Sequence, residues 1–146
     1  MISDKLLKVV VSGMVPIIIL FAIYVQMHGE ITPGGGFQAG VLLAAAFIGY
    51  SLAFGRKPIL RLFRLTTLIH YGAIGALIYL FVGLAPVLRG GNFLQHSHII
   101  EGMPLLSQEI GIFILELGVG LTVFSSILAL YLCFADLVSS KAIWKE

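Results

Sequence analysis

The sequence predicts an all-α integral membrane protein with four transmembrane helices and both termini in the cytoplasm. Three observations predict it. Of 146 residues, 59% are hydrophobic and only 11% charged, against about 25% charged in an ordinary soluble domain, and the mean hydropathy is +1.05. Four stretches, approximately 9–27, 37–54, 65–87 and 108–134, are long and apolar enough to cross a bilayer, which needs ~20 residues as a helix. Eight of the nine Lys and Arg fall on one side if these spans alternate, and that side is the cytoplasm by the positive-inside rule.

The first span, Val9 to Met27, follows Lys5 and Lys8 and carries no charge. It is too long for the apolar region of a signal peptide and lacks a small-residue cleavage pattern, so it reads as a retained helix. Pro16 removes the bond to the Ser12 carbonyl and predicts a kink. The second span, Phe37 to Phe54, stops at Gly55-Arg56-Lys57-Pro58, where glycine, cations and proline all oppose a helix. The third admits His70 near its basic end, and the fourth contains Glu109 and Glu116. Together they make residues 1–146 a single four-helix membrane domain.

The cations are Lys5 and Lys8 before the first span, Arg56, Lys57, Arg61 and Arg64 between the second and third, and Lys141 and Lys145 after the fourth. Arg89 alone stands on the other side. The basic loop also has the chemistry for lipid phosphates, although ordinary topology determination accounts for it. With a net charge of +2 and no basic face, nucleic acid is excluded as a partner. The single cysteine, Cys133, makes neither an intramolecular disulfide nor a thiolate cluster. The longest connection, Leu88 to Ser107, carries Phe93, Leu94, Ile99, Ile100 and Met103, which argue that it packs on itself or on the helices.

The most distinctive segment is His28-Gly29-Glu30-Ile31-Thr32-Pro33-Gly34-Gly35-Gly36-Phe37-Gln38-Ala39-Gly40. Thr32 and Pro33 suit an N-cap and a first helical residue, yet three glycines follow, each costing about 1 kcal/mol inside a helix. Such a conflict serves something other than the isolated segment. The glycines let another backbone approach closely, or leave backbone groups free to contact an ion. Gly40, Ala44, Ala45, Gly49 and Ala53 continue a small-residue surface down the span and favour close helix contact. Gly72 and Ala76 form a further small pair in the third span.

Glu116 stands out on physical grounds. An ionised carboxylate at the centre of a span costs roughly 2.5 kcal/mol or more, so it must face protein or water and either pair or become neutral. Its readings are an ion-binding or conducting role, a structural pair with a neighbouring subunit, or a solvated cavity. Glu109 lies seven residues earlier, about 10 Å along the axis on nearly the same face, so the two acids are candidate steps of a proton or cation path. With Ser107 read as an N-cap, Glu109 also fits a first-turn carboxylate satisfied by the helix dipole. His70 has either a proton-relay role or one fixed interhelical hydrogen bond. His96, His98 and Glu101 are ligand-capable but lack further clustered ligands, so no metal is expected, and His28 and Glu30 read as a solvated loop. Ser125 and Ser126 have no His and Asp companions, and the glycine run lacks the Lys-Ser/Thr of a P-loop. Nothing here supports an enzyme, and no cofactor is expected.

The Pro33-Gly34-Gly35-Gly36-Phe37 run, preceded by His28-Gly29 and followed by a small-residue apolar helix, resembles the B subunit of Mrp-type multisubunit Na⁺/H⁺ antiporters, the MnhB family. Length, four spans and the Gly118 and Gly120 pair agree over essentially the whole chain. The family commonly has two glycines where this chain has Ala39-Gly40, and alanine still permits close approach. The resemblance implies a non-catalytic subunit of a large complex in the bacterial cytoplasmic membrane, assembled with other Mrp antiporter subunits, which exchanges internal Na⁺ for external H⁺. It implies subunit packing through Pro33, Gly34, Gly35, Gly36, Phe37 and Gly40. A related four-helix module occurs in membrane-bound hydrogenase-type complexes, which stand as an alternative. Two further alternatives are a membrane adaptor without ionic role and an autonomous small drug/proton exchanger, although exchangers of that kind need an acid in the first span.

Overall fold

The computed structural model describes residues 2–29, 35–98 and 103–143. Thr32, Pro33, Gly34, Glu30, Ile99, Ile100 and Glu101 lie outside these residues. Five α-helices form: α1 (Ile2–Met27), α2 (Gly36–Phe54), α3 (Arg56–Leu62), α4 (Leu65–Leu84) and α5 (Pro104–Ile143). Short 3₁₀ turns, Val87–Arg89 and His96–His98, shape the connection between the last two. Four segments, within α1, α2, α4 with its 3₁₀ extension, and α5, are long and apolar enough to cross a membrane.

The helices stand in an open row. The sequence neighbours α1 and α2 pack together, α5 inserts beside α2, and α4 packs on the far side of α5. Antiparallel neighbours with short connections account for the first pair. The placement of α5 between α2 and α4 follows from its small residues. Gly118 and Gly120 are two residues apart, hence ~200° around the helix, so they offer a bare surface on opposite flanks. A Cβ at Gly118 would lie 2.8 Å from the Gly75 carbonyl oxygen of α4, and one at Gly120 would lie 3.1 Å from the Gly36 carbonyl oxygen of α2. The glycines therefore let α5 touch two helices backbone to backbone.

Large side chains take over toward the basic end. Ala44, Ile59, Leu68, Phe124, Leu128 and Leu132 form the buried core. Phe47, Phe63 and Phe124 meet edge to face, with ring centroids 5.1, 5.7 and 5.5 Å apart, the arrangement the ring quadrupole favours. Tyr131 donates its hydroxyl to Ser51 Oγ at 3.0 Å, so a polar pair joins α2 and α5 without an orphaned group.

Several boundaries differ from the sequence expectation. The helix does stop at Phe54, but Gly55, with φ +86°, turns the chain and α3 starts at once. Pro58 is tolerated there because a helix's first turn has amide groups without intrahelical acceptors. Ile59 anchors α3 in the core while Lys57 and Arg61 face outward. Arg56 makes an ion pair with Asp136 of α5, and Lys8 lies 6.0 Å from the Phe54 ring centroid, which collects cations from both halves of the chain at one end. No interruption marks Pro16, since α1 runs continuously through it. The last helix begins at Pro104 rather than after Ser107, so Ser107 is not its N-cap and Glu109 lies in the second turn. At 40 residues it is about 60 Å long, twice the ~30 Å hydrocarbon thickness.

The long outer connection packs as expected, through Phe93 and Leu94. A Cβ at Gly83 would meet the Phe93 ring at 2.5 Å, and the Leu94 amide donates to the Gly83 carbonyl at 3.1 Å. Met103 is exposed instead.

Candidate functional site

Three chain segments converge on the first turns of α2. The end of α1 brings Gln26 and, just beyond it, Gly29. The start of α2 brings Gly35 and Gly36, and α5 brings Glu116 and Gly120. Gly35 has φ +119°, a backbone region that side-chain-bearing residues rarely adopt. This explains one of the three consecutive glycines conformationally. Gly36 is explained by space: a Cβ there would lie inside the van der Waals shell of the Glu116 carbonyl oxygen.

The Glu116 side chain fills the space these glycines leave. A Cβ at Gly29 would lie 2.6 Å from its carboxyl carbon, and one at Gly35 would lie 2.6 Å from Oε1. The carboxyl is thus folded against the main chain of these two glycines, and the residue is half-buried. It sits beside the N-terminus of α2, where amide groups lacking intrahelical acceptors present partial positive charge. One turn further along α5, the Gln26 side-chain oxygen stands 2.8 Å from the Cβ position of Gly120. The Gln26 Nε2 is buried and makes no hydrogen bond among the described residues. A cavity of about 330 Å³ opens beside it between α1, α2 and α5, lined mainly by apolar groups such as Ile23, Leu43, Leu117 and Phe124.

The other predicted residues separate into distinct environments. Gly40 packs on α5, where a Cβ would lie 2.6 Å from the Gly120 carbonyl oxygen. Gly35, Gly36 and Gly40 therefore serve a joint within the chain, whereas Phe37 is 62% exposed and points out of it. Glu109 is exposed and is not brought to Glu116, from which two helical turns separate it. Exposed on the outer face of α4, His70 has no interhelical hydrogen bond within the described residues. Pro33 and Gly34 lie outside the described residues.

The outer loop closes on α5 through His96. A Cβ at Gly111 would meet the His96 ring at 2.7 Å, and the Ser107 hydroxyl donates to the His96 carbonyl. The ring is 8% exposed, its Nδ1 makes no hydrogen bond among the described residues, and burial pushes its pKa below the ordinary histidine value. His28 instead stacks on Tyr24 and donates Nδ1–H to the Tyr24 carbonyl at 3.0 Å. Among the described residues, no group of three or more His, Cys, Asp or Glu side chains is gathered to hold a metal ion.

Sequence reasoning missed Gln26 and Gly29 as members of this site. A signal existed: Gln26 is the only carboxamide in the first span, and a carboxamide among apolar residues needs protein partners. It also missed that His96 is inside rather than at the surface, because an isolated loop histidine carries no periodicity from which burial can be read.

Residues 6–129 match the model of a domain related to the MnhB subunit of Na⁺/H⁺ antiporters. The protein named as antiporter subunit mnhB2 in Staphylococcus haemolyticus is 32% identical over 135 residues, covering 91% of this chain and 95% of that one. Its namesake in Staphylococcus aureus strain Newman is 31% identical over 138 residues, with 86% and 94% covered. An uncharacterised protein of Methanocaldococcus jannaschii is 38% identical over 100 residues, or 68% of this chain, and this chain matches 38% of that protein's length.

Proposed function

The chain belongs to the MnhB family of Na⁺/H⁺ antiporter subunits, and from that premise we propose that it is a non-catalytic subunit of a multisubunit Na⁺/H⁺ antiporter in the bacterial cytoplasmic membrane. Its basic end, with Arg56, Lys57 and Arg61, faces the cytoplasm, and its His96 loop faces outward. Sister subunits surround the row, and Na⁺ and H⁺ are the ions the assembly exchanges. Glu116 is this subunit's contribution to the ion route. The observation that supports this role is the Glu116 carboxyl folded against the bare backbone of Gly29 and Gly35, where a cation or proton would meet a carboxylate beside a helix N-terminus.

The chemistry asked of Glu116 is modest. A carboxylate held at low dielectric attracts a cation or takes up a proton, and the partial positive charge of the α2 N-terminus lies beside it. Gln26 and the Gly36 carbonyl supply further polar groups within one turn of α5. Exposure of Glu109 in the second turn of α5 suits an outer step that collects cations from solution. His70 serves as a contact or relay at the opposite end. The test is Glu116→Gln in the whole complex: exchange measured in vesicles drops while the sister subunits still co-purify. Unchanged exchange with normal assembly removes Glu116 from the route.

A structural reading of Glu116 rests on the same contacts, since the carboxyl occupies space at the α2–α5 joint. The same variant separates it, because a structural role predicts loss of assembly before loss of exchange.

A further inference from the structure

The short helix at the end of the second span carries the furthest inference. Because α2 ends at Phe54 and α4 starts at Leu65, α3 lies where hydrocarbon gives way to headgroups. Successive side chains of a helix turn by ~100°, and on that basis the seven residues of α3 sort into two arcs. Ile59 is fully buried and marks the inward direction. Leu62 lies ~60° to one side of it and Leu60 ~100° to the other, and both are exposed. Lys57 and Arg61 lie ~160° from Ile59 and are exposed as well. The apolar arc is therefore wider than the bundle covers, and the outer arc holds basic side chains.

The cations of this end divide in the same way. Arg56, ~60° from Ile59, is directed to Asp136 of α5, and Lys8 lies beside the Phe54 ring. Lys57, Arg61 and Arg64 are exposed and make no hydrogen bond or ion pair among the described residues. The acids described at this end are Asp4 and Asp136, and both are already engaged. A surplus of positive charge is thus flanked by exposed leucines. Water would leave Leu60 and Leu62 unburied, and hydrocarbon would strip the cations of solvent. The headgroup boundary of an anionic leaflet suits both, since leucines reach acyl chains there while long cationic side chains reach phosphates.

We propose that α3 is an interfacial helix that binds anionic phospholipid, with Lys57, Arg61 and Arg64 on the headgroup phosphates and Leu60 and Leu62 in the adjoining acyl region. This goes beyond the antiporter reading and does not depend on it, since it requires only that the spans cross a bilayer and that α3 lie at their end. It gives the basic loop a task besides setting orientation: it holds the depth at which α2 ends and α4 begins.

The experiment uses the full chain, with any subunits that co-purify, in nanodiscs of phosphatidylcholine. Each disc contains the same mole fraction of one probe, phosphatidylglycerol or phosphatidylcholine, carrying a diazirine close to the acyl ester. After illumination, adducts are mapped by mass spectrometry. Residues 57–64 are expected to take up severalfold more phosphatidylglycerol than phosphatidylcholine. The Lys57→Gln, Arg61→Gln double variant is expected to lose that excess while the exposed face of α1 is labelled as before. High salt is expected to narrow the wild-type excess, because these charges are exposed, and this measurement stands even if the double variant fails to insert. Equal labelling by the two probes overturns the proposal, as does an excess that survives the double substitution or high salt. Labelling of α1 without any lipid adduct on residues 57–64 overturns it too, since another protein then covers α3.

Discussion

The outer and basic halves of the α2–α5 pair are held together by opposite means. In the outer half, Gly36 and Gly40 face Glu116 and Gly120, and main chain touches main chain. In the basic half, Phe47, Phe124, Leu128 and Leu132 fill the space. Close backbone approach thins out the side chains at the joint, so the Glu116 side chain that enters it meets peptide dipoles. Where the helices are spaced by aromatic rings, main chain is held apart and the polar contact between α2 and α5 is made by side chains, Tyr131 on Ser51.

Breaking the glycine joint should have the largest effect. Gly36→Val drives side-chain atoms into the Glu116 carbonyl, a backbone contact that cannot yield, and we expect a cost above about 3 kcal/mol. Quantitative immunoblotting of membranes should show loss of the subunit, and wild-type abundance would show that α2 and α5 part easily. Glu116→Gln comes next, with exchange lowered by about tenfold or more, which corresponds to ~1.4 kcal/mol per factor of ten, and abundance unchanged. Gly75→Ala sharpens the comparison from the α4 side. Its methyl would sit 2.5 Å from the Gly118 carbonyl oxygen, for an expected loss of about 1–3 kcal/mol, measured as a lower detergent-melting temperature with exchange per assembled complex preserved.

Smaller effects are expected at the two ends. His96 is held neutral by burial in the outer loop, while a released loop would protonate near the ordinary value of about 6.5. The released form then binds more protons, so the clasp is fully stable above pH ~6.5 and weakens as the pH falls below it toward the depressed pKa. After correction for the intrinsic slowing of amide exchange at lower pH, the protection of the Leu94 and His96 amides should fall at pH 5.5 relative to pH 7.5, and His96→Leu should flatten that dependence. The smallest change belongs to the exposed Arg56–Asp136 pair, where Asp136→Asn should cost no more than about 1 kcal/mol and leave assembly intact.

The spans were legible because bilayer thickness imposes a length that apolar runs must meet, and the run from Phe37 to Phe54 fell within one residue of α2. Less legible was α3, since Gly55 and Pro58 signal a break without saying that a new helix follows it. Glu116 was legible as costly in lipid, and Gly36 as a close-contact residue. Their meeting was not, because nothing in either local sequence specifies that α5 lies beside α2. Ser107 misled for a related reason: a serine before an acid suggests an N-cap, but its hydroxyl is engaged by the His96 carbonyl, a contact set by the loop's return.

Gly118 and Gly120 lie on opposite flanks of one continuous rod. A sideways shift of α5 by an ångström would therefore loosen one seam by about as much as it tightened the other. Were a cation to bind at Glu116 as proposed, any displacement of α5 that it caused would be felt on the α4 flank without helix bending, much as a beam on a fulcrum couples its two pans.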